Sequence, residues 1–562
     1  MRREPVLPLL LVSSVFQGFF LPPSHLRSRH VFIVSMRVEP LLSLLMRKSF
    51  SNAFIAVLLL FASFSFAQNS QPPLPEPPGA AVPPPSAAPV QPQAPPQAPS
   101  SPGTRSSQPA QPSSTPSPNR LEIEPVEKEH QITAIEAKEL FRSVDEILRF
   151  ASQDTGLPVK KKVKRTIVSR AQVEKYIGEK FKDDADRIRF ERSELVQKKF
   201  GLLPRDFNLH EFLIKLLTEQ VAGYYDEKTK TMNLLDWNEP EMQRPVMAHE
   251  LTHALQDQSY NLEKMSKHEE EVEKKGMEDL DALVRIDEES TCRGAVLEGQ
   301  AMIVLLDYVL APSEQSVAKM PGVVDMMQSS MDKSRGSPVF DSAPLLLQEE
   351  LAFPYRQGMK FIKDLLVAGG KPLAYQGVLK RMPQTTREIM EPKEYLAGHR
   401  VPPLLLPDFG FLKKDYEPFD AGAVGELDVN ILLRIYADGD VAKRLTPEWR
   451  GGAYYAAGRK GARPPNRNST AHIGLFYVSR WATEEAAQDF ARTYAAALPK
   501  RYKDVHRVHG YAPEQLQWAS SDGPIVIQQT GNTVVAVEGF AEDVAKRLME
   551  AGLKEKQEHA KQ

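Results

Sequence analysis

Residues 245–255 read PVMAHELTHAL, and the rest of the chain can be interpreted from this stretch. Its helical character is continuous, and Pro245 suits a first helical position, where a missing N–H costs nothing. On a helix, His249 and His253 lie about one turn apart on the same face, so both imidazoles can reach one metal ion. Apolar residues fall on the opposite side, namely Met247, Leu251, Ala254 and Leu255. The stretch therefore predicts a helix with one metal-binding face and one buried face.

Glu250 lies roughly 100° around such a helix from His249, which places its carboxylate beside the metal. From there it can take a proton from a metal-activated water. Asp257, four residues after His253, is expected either to orient a ligand histidine or to lie solvated at the helix end. The alternative for the whole stretch is a helix that displays two exposed histidines and a glutamate without binding metal.

A catalytic zinc ion takes three protein ligands and keeps one position open for water, so the pattern requires a third ligand elsewhere. A second long helical stretch runs from Met277 to Leu310, and Glu298 in it is surrounded by small and apolar residues. An unpaired carboxylate there would be costly, and metal coordination would remove that cost. Asp287, Glu288 and Glu289 lie two to three turns earlier on the same helix, and a carboxylate there, Glu288 or Glu289, is the competing ligand. Arginines flank them as on an ordinary solvated face, so burial favours Glu298.

In these residues the chain resembles the gluzincins, the thermolysin-like zinc peptidases, which add a glutamate from a later helix to the His-Glu-x-x-His motif. The resemblance implies that His249, His253 and Glu298 hold Zn²⁺. It also implies hydrolysis of peptide bonds by a metal-activated water, with Glu250 as general base. The alternative expectation is a catalytically inactive zincin-fold protein that serves as a binding or scaffold protein of the cell envelope.

Two extended runs precede the motif helix, Val221–Asp226 and Thr231–Asp236, with a polar turn between them. This pattern predicts a hairpin. Gluzincins place an edge strand above the zinc, where a substrate peptide adds as one more strand. The resemblance therefore implies that Thr231–Asp236 is the substrate-aligning strand. Tyr224 or Tyr225 would then donate a hydrogen bond to the developing oxyanion, unless both simply pack on the hairpin face.

The fold expected is α+β, with a mainly helical, zincin-like catalytic domain over residues 121–407 that carries this short edge-strand hairpin. A smaller α+β module follows over residues 408–562, since prolines break regularity up to Pro407. Within the module the patterns predict a strand, an amphipathic helix, a hairpin and a final helix, at Ile473–Val478, Thr483–Leu498, 525–537 and Ala541–Ala551. Such an order is common to many unrelated binding modules and predicts no role.

The first 120 residues are expected to lack a folded core. Residues 46–67 have the pattern of a signal peptide, so we expect export to the periplasm, the cell envelope or the exterior, with cleavage after Ala67. An uncleaved membrane anchor is the second expectation. Residues 1–45 fit no signal peptide, and we expect translation to begin at Met46. Residues 68–120 are rich in Pro, Ala, Ser and Gln and predict a disordered tether.

The charges limit the expected partners. The chain carries 71 basic and 73 acidic residues, so no global field indicates a nucleic-acid partner. The expected partner is a peptide or protein substrate, with membrane or cell-wall association through the N-terminal segment; the oligomeric state is not predicted. The single cysteine, Cys292, cannot form an internal disulfide and is expected to be a small buried side chain in the helix that leads to Glu298.

Overall fold

The computed structural model describes residues 131–180, 184–219, 223–333, 338–461, 469–508 and 515–554. The predicted signal peptide, the tether and the segment upstream of Met46 lie outside these residues. The described part is a mixed α+β fold, as expected, with long helices first and a large antiparallel sheet towards the C-terminus.

Helices dominate the first two thirds of the described chain. They are α1 Ala134–Thr155, α2 Arg170–Lys180, α3 Asp184–Phe200, α4 Leu209–Glu219, α5 Pro240–Tyr260, α6 Leu262–Lys275, α7 Leu280–Leu310, α8 Gly322–Lys333, α9 Pro338–Asp341, α10 Leu345–Lys371, α11 Val378–Lys380, α12 Thr386–Met390 and α13 Pro392–Ala397. The later helices are α14 Glu426–Tyr436, α15 Gly439–Leu445, α16 Glu484–Arg501 and α17 Glu542–Lys554.

The strands form two sheets in the described residues. The first contains β1 Lys164–Val168, β2 Tyr224–Asp226 and β3 Thr231–Leu235. The second contains β4 Tyr416–Ala423, β5 Trp449–Arg459, β6 Ile473–Trp481, β7 His506–Arg507, β8 Gln515–Ala519, β9 Ile525–Thr530 and β10 Thr533–Glu538.

The motif helix α5 begins earlier than its sequence suggests. Pro240 occupies the first helical turn, and Pro245 lies inside the helix, in its second turn. The helix ends at Asn261, which adopts the left-handed conformation and also caps α6 by accepting from the backbone N–H of Lys264. Residues 246–257 are all buried, so the predicted metal-binding face is enclosed as completely as the apolar face.

The predicted hairpin is present, but its role in the sheet differs from the expectation. β2 and β3 pair antiparallel, with Tyr225 opposite Met232. The basic strand β1 pairs in parallel with β3 along its whole length, from Lys164 opposite Thr231 to Val168 opposite Leu235. β3 is therefore the central strand, and the expectation that Thr231–Asp236 forms a free edge for a substrate peptide is wrong.

Helix α7 forms the centre of the helical part and packs against α5, α10 and α1. Gly299 of α7 and Gly358 of α10 bring the two backbones so close that a Cβ on either would overlap the other helix. With the turn that follows it, α7 (280–313) is long and apolar enough to cross a membrane, but 78% of its most apolar window is buried inside the fold. It packs as a core helix of this fold.

The C-terminal sheet is antiparallel throughout, in the order β4-β5-β6-β10-β9-β8-β7. The sequence patterns predict β6, α16, the β9–β10 hairpin and α17. They do not predict β5, because it is buried on both faces and rich in glycine and alanine, so no polar–apolar alternation marks it. β4 contains Pro418 and Gly422, which weaken a strand pattern in the same way.

One hydrophobic core runs across the predicted boundary at residue 407. Buried side chains from the helical part and from the C-terminal sheet contact each other within it. Polar contacts cross the boundary too: Asp287 of α7 accepts a 2.9 Å hydrogen bond from the backbone N–H of Ala423. The division into a catalytic domain and a C-terminal module therefore stays a prediction.

Candidate metal centre

Helices α5 and α7 bring the three predicted ligands together. Nε2 of His249 lies 3.0 Å from Oε2 of Glu298, and Nε2 of His253 lies 3.3 Å from the same oxygen. The two Nε2 atoms are 3.2 Å apart. These buried side chains form a group that could hold a metal ion.

The spacing of the three atoms fits a small divalent ion. Bond lengths of about 2.0–2.1 Å in a tetrahedral site require ligand atoms to be separated by about 3.3–3.4 Å. The observed separations of 3.0, 3.2 and 3.3 Å are close to that value. Two imidazole nitrogens and one carboxylate oxygen suit zinc and its transition-metal neighbours better than calcium or magnesium, which prefer oxygen ligands.

Without a cation, the burial of these three side chains costs free energy. The exposed fraction is 0% for both histidines and 3% for Glu298. Nδ1 of His249 and Oε2 of Glu298 make no hydrogen bond of good geometry to any residue that the structure describes. A buried, ionised carboxylate needs a positive partner.

The side chain that hydrogen-bonds the ring of His253 from outside the group is Gln256, not Asp257. Nδ1 of His253 lies 2.8 Å from Oε1 of Gln256. Asp257 instead accepts from the Tyr225 hydroxyl at 2.9 Å and from Nζ of Lys230 at 2.9 Å. It is neither a partner of a ligand histidine nor solvated, and both interpretations of Asp257 were wrong. A polar residue three positions after His253 was the available signal for Gln256.

Glu250 is held by the hairpin. The backbone N–H of Tyr225 donates to Oε2 of Glu250 at 2.9 Å, so strand β2 lies directly on the motif helix. The hydroxyl of Tyr225 is bonded to Asp257, which agrees with a packing role for that ring. Tyr224 is buried as well, and burial raises its pKa to about 12.

The competing carboxylates have structural partners. Glu288 accepts from the backbone N–H of Thr386 at 2.7 Å and from its hydroxyl at 3.0 Å. Burial, followed by the charge of Asp428, raises the pKa of Glu288 to about 8. Asp287 and Glu288 are buried and Glu289 is half-buried, so the expectation of a solvated face was wrong for the first two. They join α7 to residues that follow much later in the chain.

Helices α10 and α7 supply the surroundings of the centre. The ring of Tyr355 on α10 stacks on His249, with centroids 6.4 Å apart and an interplanar angle of 23°. Cys292 is fully buried in α7, as expected, and burial raises its thiol pKa well above the ordinary value. The close crossing of α7 and α10 at Gly299 lies one residue beyond Glu298, so the position of this ligand depends on that crossing.

Comparison with known proteins bears on the other end of the chain. A family model described as a domain of unknown function, DUF8575, matches residues 416–549, from the start of β4 into α17. The comparisons with curated proteins and with solved structures find no match. The matched segment includes none of His249, Glu250, His253 and Glu298.

Proposed function

We propose that the protein is an exported, zinc-dependent peptidase in which His249, His253 and Glu298 hold Zn²⁺ and Glu250 is the general base. The observation that carries this proposal is the convergence of three ligand atoms from two helices, at separations of 3.0, 3.2 and 3.3 Å. The His-Glu-x-x-His spacing on a helix supplies the fourth functional group.

The chemistry divides between the ion and the chain. Zn²⁺, when bound, supplies Lewis acidity that lowers the pKa of a water and polarises the peptide carbonyl. Glu250 accepts the proton of the attacking water and delivers it to the leaving nitrogen as the C–O bond forms and the C–N bond breaks. The N–H of Tyr225 fixes the orientation of the Glu250 carboxylate for this transfer, through its 2.9 Å hydrogen bond to Oε2.

The substitution Glu250→Gln tests this assignment. It keeps the shape of the side chain but removes the base, so we expect zinc content to be unchanged and casein hydrolysis to fall about 10²- to 10⁴-fold. Glu241→Gln is the matched control, because Glu241 lies on the same helix with its side chain exposed. Cleavage of casein by Glu250→Gln at the wild-type rate would show that Glu250 is not the base.

A second function, a zinc-stabilised binding or scaffold protein of the cell envelope, is favoured by one observation. Glu250 and both histidines are 0% exposed, and a structural zinc site, unlike a catalytic one, needs no access for a substrate. This function predicts one bound zinc and no cleavage across a broad peptide library. Hydrolysis by the wild-type protein that Glu250→Gln abolishes would exclude it.

Export follows from the signal-peptide pattern of residues 46–67. Cleavage after Ala67 gives a mature chain that starts at Gln68, in which the proline-rich segment holds the folded part away from the membrane or wall, free to meet a peptide or protein substrate. N-terminal mass spectrometry of the native protein tests this. A mature N-terminus at Gln68 is expected, and peptides from residues 1–45 would contradict the start at Met46.

A further inference from the structure

We propose that Gln256 and Gln300 are positioning residues that lock His253 in the tautomer with its proton on Nδ1 and its lone pair on Nε2. The inference rests on the proposed metal centre and extends it to two residues outside the ligand set. Both glutamines are 0% exposed, so water does not compete for their amide groups.

A chain of hydrogen bonds, here called the relay, runs from two backbone carbonyls through Gln300 and Gln256 to His253. Nε2 of Gln300 donates to the carbonyl oxygen of Ala374 at 2.7 Å and to that of Tyr375 at 3.2 Å. A carbonyl oxygen can only accept, so the NH₂ end of Gln300 must face these atoms. Oε1 of Gln300 therefore faces Gln256.

The second amide is fixed by the first. Nε2 of Gln256 donates to Oε1 of Gln300 at 2.9 Å and to the carbonyl oxygen of Leu297 at 3.1 Å. Both partners are acceptors, so a flipped Gln256 would set oxygen against oxygen twice in a dry interior. Oε1 of Gln256 therefore faces His253.

The orientation of Gln256 decides where the His253 proton lies. Oε1 is an acceptor 2.8 Å from Nδ1, so Nδ1 must carry the hydrogen. In the neutral ring, Nε2 then has a lone pair, which is the form that a metal ligand requires. That lone pair points towards Oε2 of Glu298 at 3.3 Å and Nε2 of His249 at 3.2 Å, an arrangement that a cation between the atoms would satisfy.

The source of the two carbonyls is itself unusual. Ala374 and Tyr375 lie in a π-helical segment, Pro372–Gly377, directly after α10. Segments of this kind are rare, and they occur often at functional sites. The relay thus joins α5, α7 and the end of α10, and it transmits the orientation of a backbone segment to a ligand ring.

The test compares Gln256→Met and Gln300→Met with the control Gln258→Met in the full mature chain. Gln258 lies on the same helix but bonds the backbone of Lys160 and Lys161. We expect the Zn²⁺ dissociation constant, measured by chelator competition without substrate, to rise about 10- to 100-fold in Gln256→Met. It should rise less in Gln300→Met, where Leu297 still orients Gln256, and remain unchanged in the control.

The tautomer is read separately in the zinc-free protein, by NMR of ¹⁵N-labelled histidine rings. His253 should carry its proton on Nδ1 in the wild type and populate both tautomers in Gln256→Met, with circular dichroism confirming that the variant folds. Wild-type zinc affinity together with an unchanged tautomer in Gln256→Met, or in Gln300→Met where the first variant does not fold, would overturn the relay. Failure of the peptidase proposal gives a different result, namely zinc binding and the expected tautomer without any hydrolysis.

Discussion

Two of the regions in which the described residues bury charged side chains satisfy those charges differently. Under the C-terminal sheet, both oxygens of Glu538 accept hydrogen bonds: Oε1 from the Tyr494 hydroxyl at 2.6 Å, and Oε2 from Arg501 at 2.7 Å and from Tyr502. In the candidate metal centre, Oε2 of Glu298 faces two imidazole nitrogens and accepts no well-formed hydrogen bond from the described residues.

The difference separates a structural network from a candidate binding site. In the first region the chain supplies its own donors, and Arg501 supplies the positive charge. In the second, the relay from Gln256 leaves a lone pair on the neutral His253 ring, so the group can bind a cation from outside the chain. Burial of a carboxylate alone would not have distinguished the two regions, since both Glu538 and Glu298 are almost fully buried.

The largest expected effect on stability comes from a substitution that breaks the structural network around Glu538. Glu538→Ala leaves Arg501 buried without its counter-charge, and removing one partner of a buried pair costs about 3–5 kcal/mol. Denaturant unfolding should report a loss of that size in the free energy of unfolding, while zinc content per folded chain stays at the wild-type value. A loss below about 1 kcal/mol would contradict the account of this network.

A smaller effect is expected from a substitution that tests whether the metal centre depends on the packing of α7 against α10. Gly299→Ala forces α7 away from Gly358 on α10, and overpacking of this kind costs about 1–3 kcal/mol. Because Glu298 is the adjacent residue, zinc affinity should fall as well. Gly294→Ala is the matched control: its Cβ meets nothing within 4 Å, so it should stabilise α7 by up to about 1 kcal/mol. Equal behaviour of the two variants in unfolding and zinc titration would refute the close crossing.

The smallest effect concerns the carboxylate that competed with Glu298. Burial raises the pKa of Glu288 from 4.5 to about 8, so the folded state binds a proton that the unfolded state releases between these values. The resulting contribution to stability is complete below pH 4.5 and is lost as the pH rises through about 8.

Glu288→Gln should therefore flatten the decline in melting temperature between pH 5 and 8 without removing it, because burial raises the pKa of Glu426 to about 8 too. Melting curves at several pH values check this expectation. A slope identical to that of the wild type would mean that Glu288 is ionised in the folded protein.

The sequence predicts what is local in this structure. The spacing of His249 and His253 requires only one helix, and Glu298 was identified by its apolar neighbours. The β9–β10 hairpin follows from two strand patterns around a turn. Each of these features depends on residues close together in the chain.

The features that the sequence did not predict depend on distant partners. The basic strand β1 pairs with β3, which comes much later in the chain, and this pairing turns the expected edge strand into a central one. Asp287 and Glu288 looked solvated because their partners, Ala423 and Thr386, follow about 100 residues or more later. Gln256 belongs to no recognised motif. Its orientation depends on Gln300, which donates to the carbonyls of Ala374 and Tyr375.

The most direct measurement is the metal content of the purified protein by inductively coupled plasma mass spectrometry, wild type against Glu298→Ala. The account predicts one zinc ion per wild-type chain and almost none in the variant, with circular dichroism confirming that both are folded. Zinc at the same stoichiometry in both proteins, or no transition metal in the wild type, would contradict it.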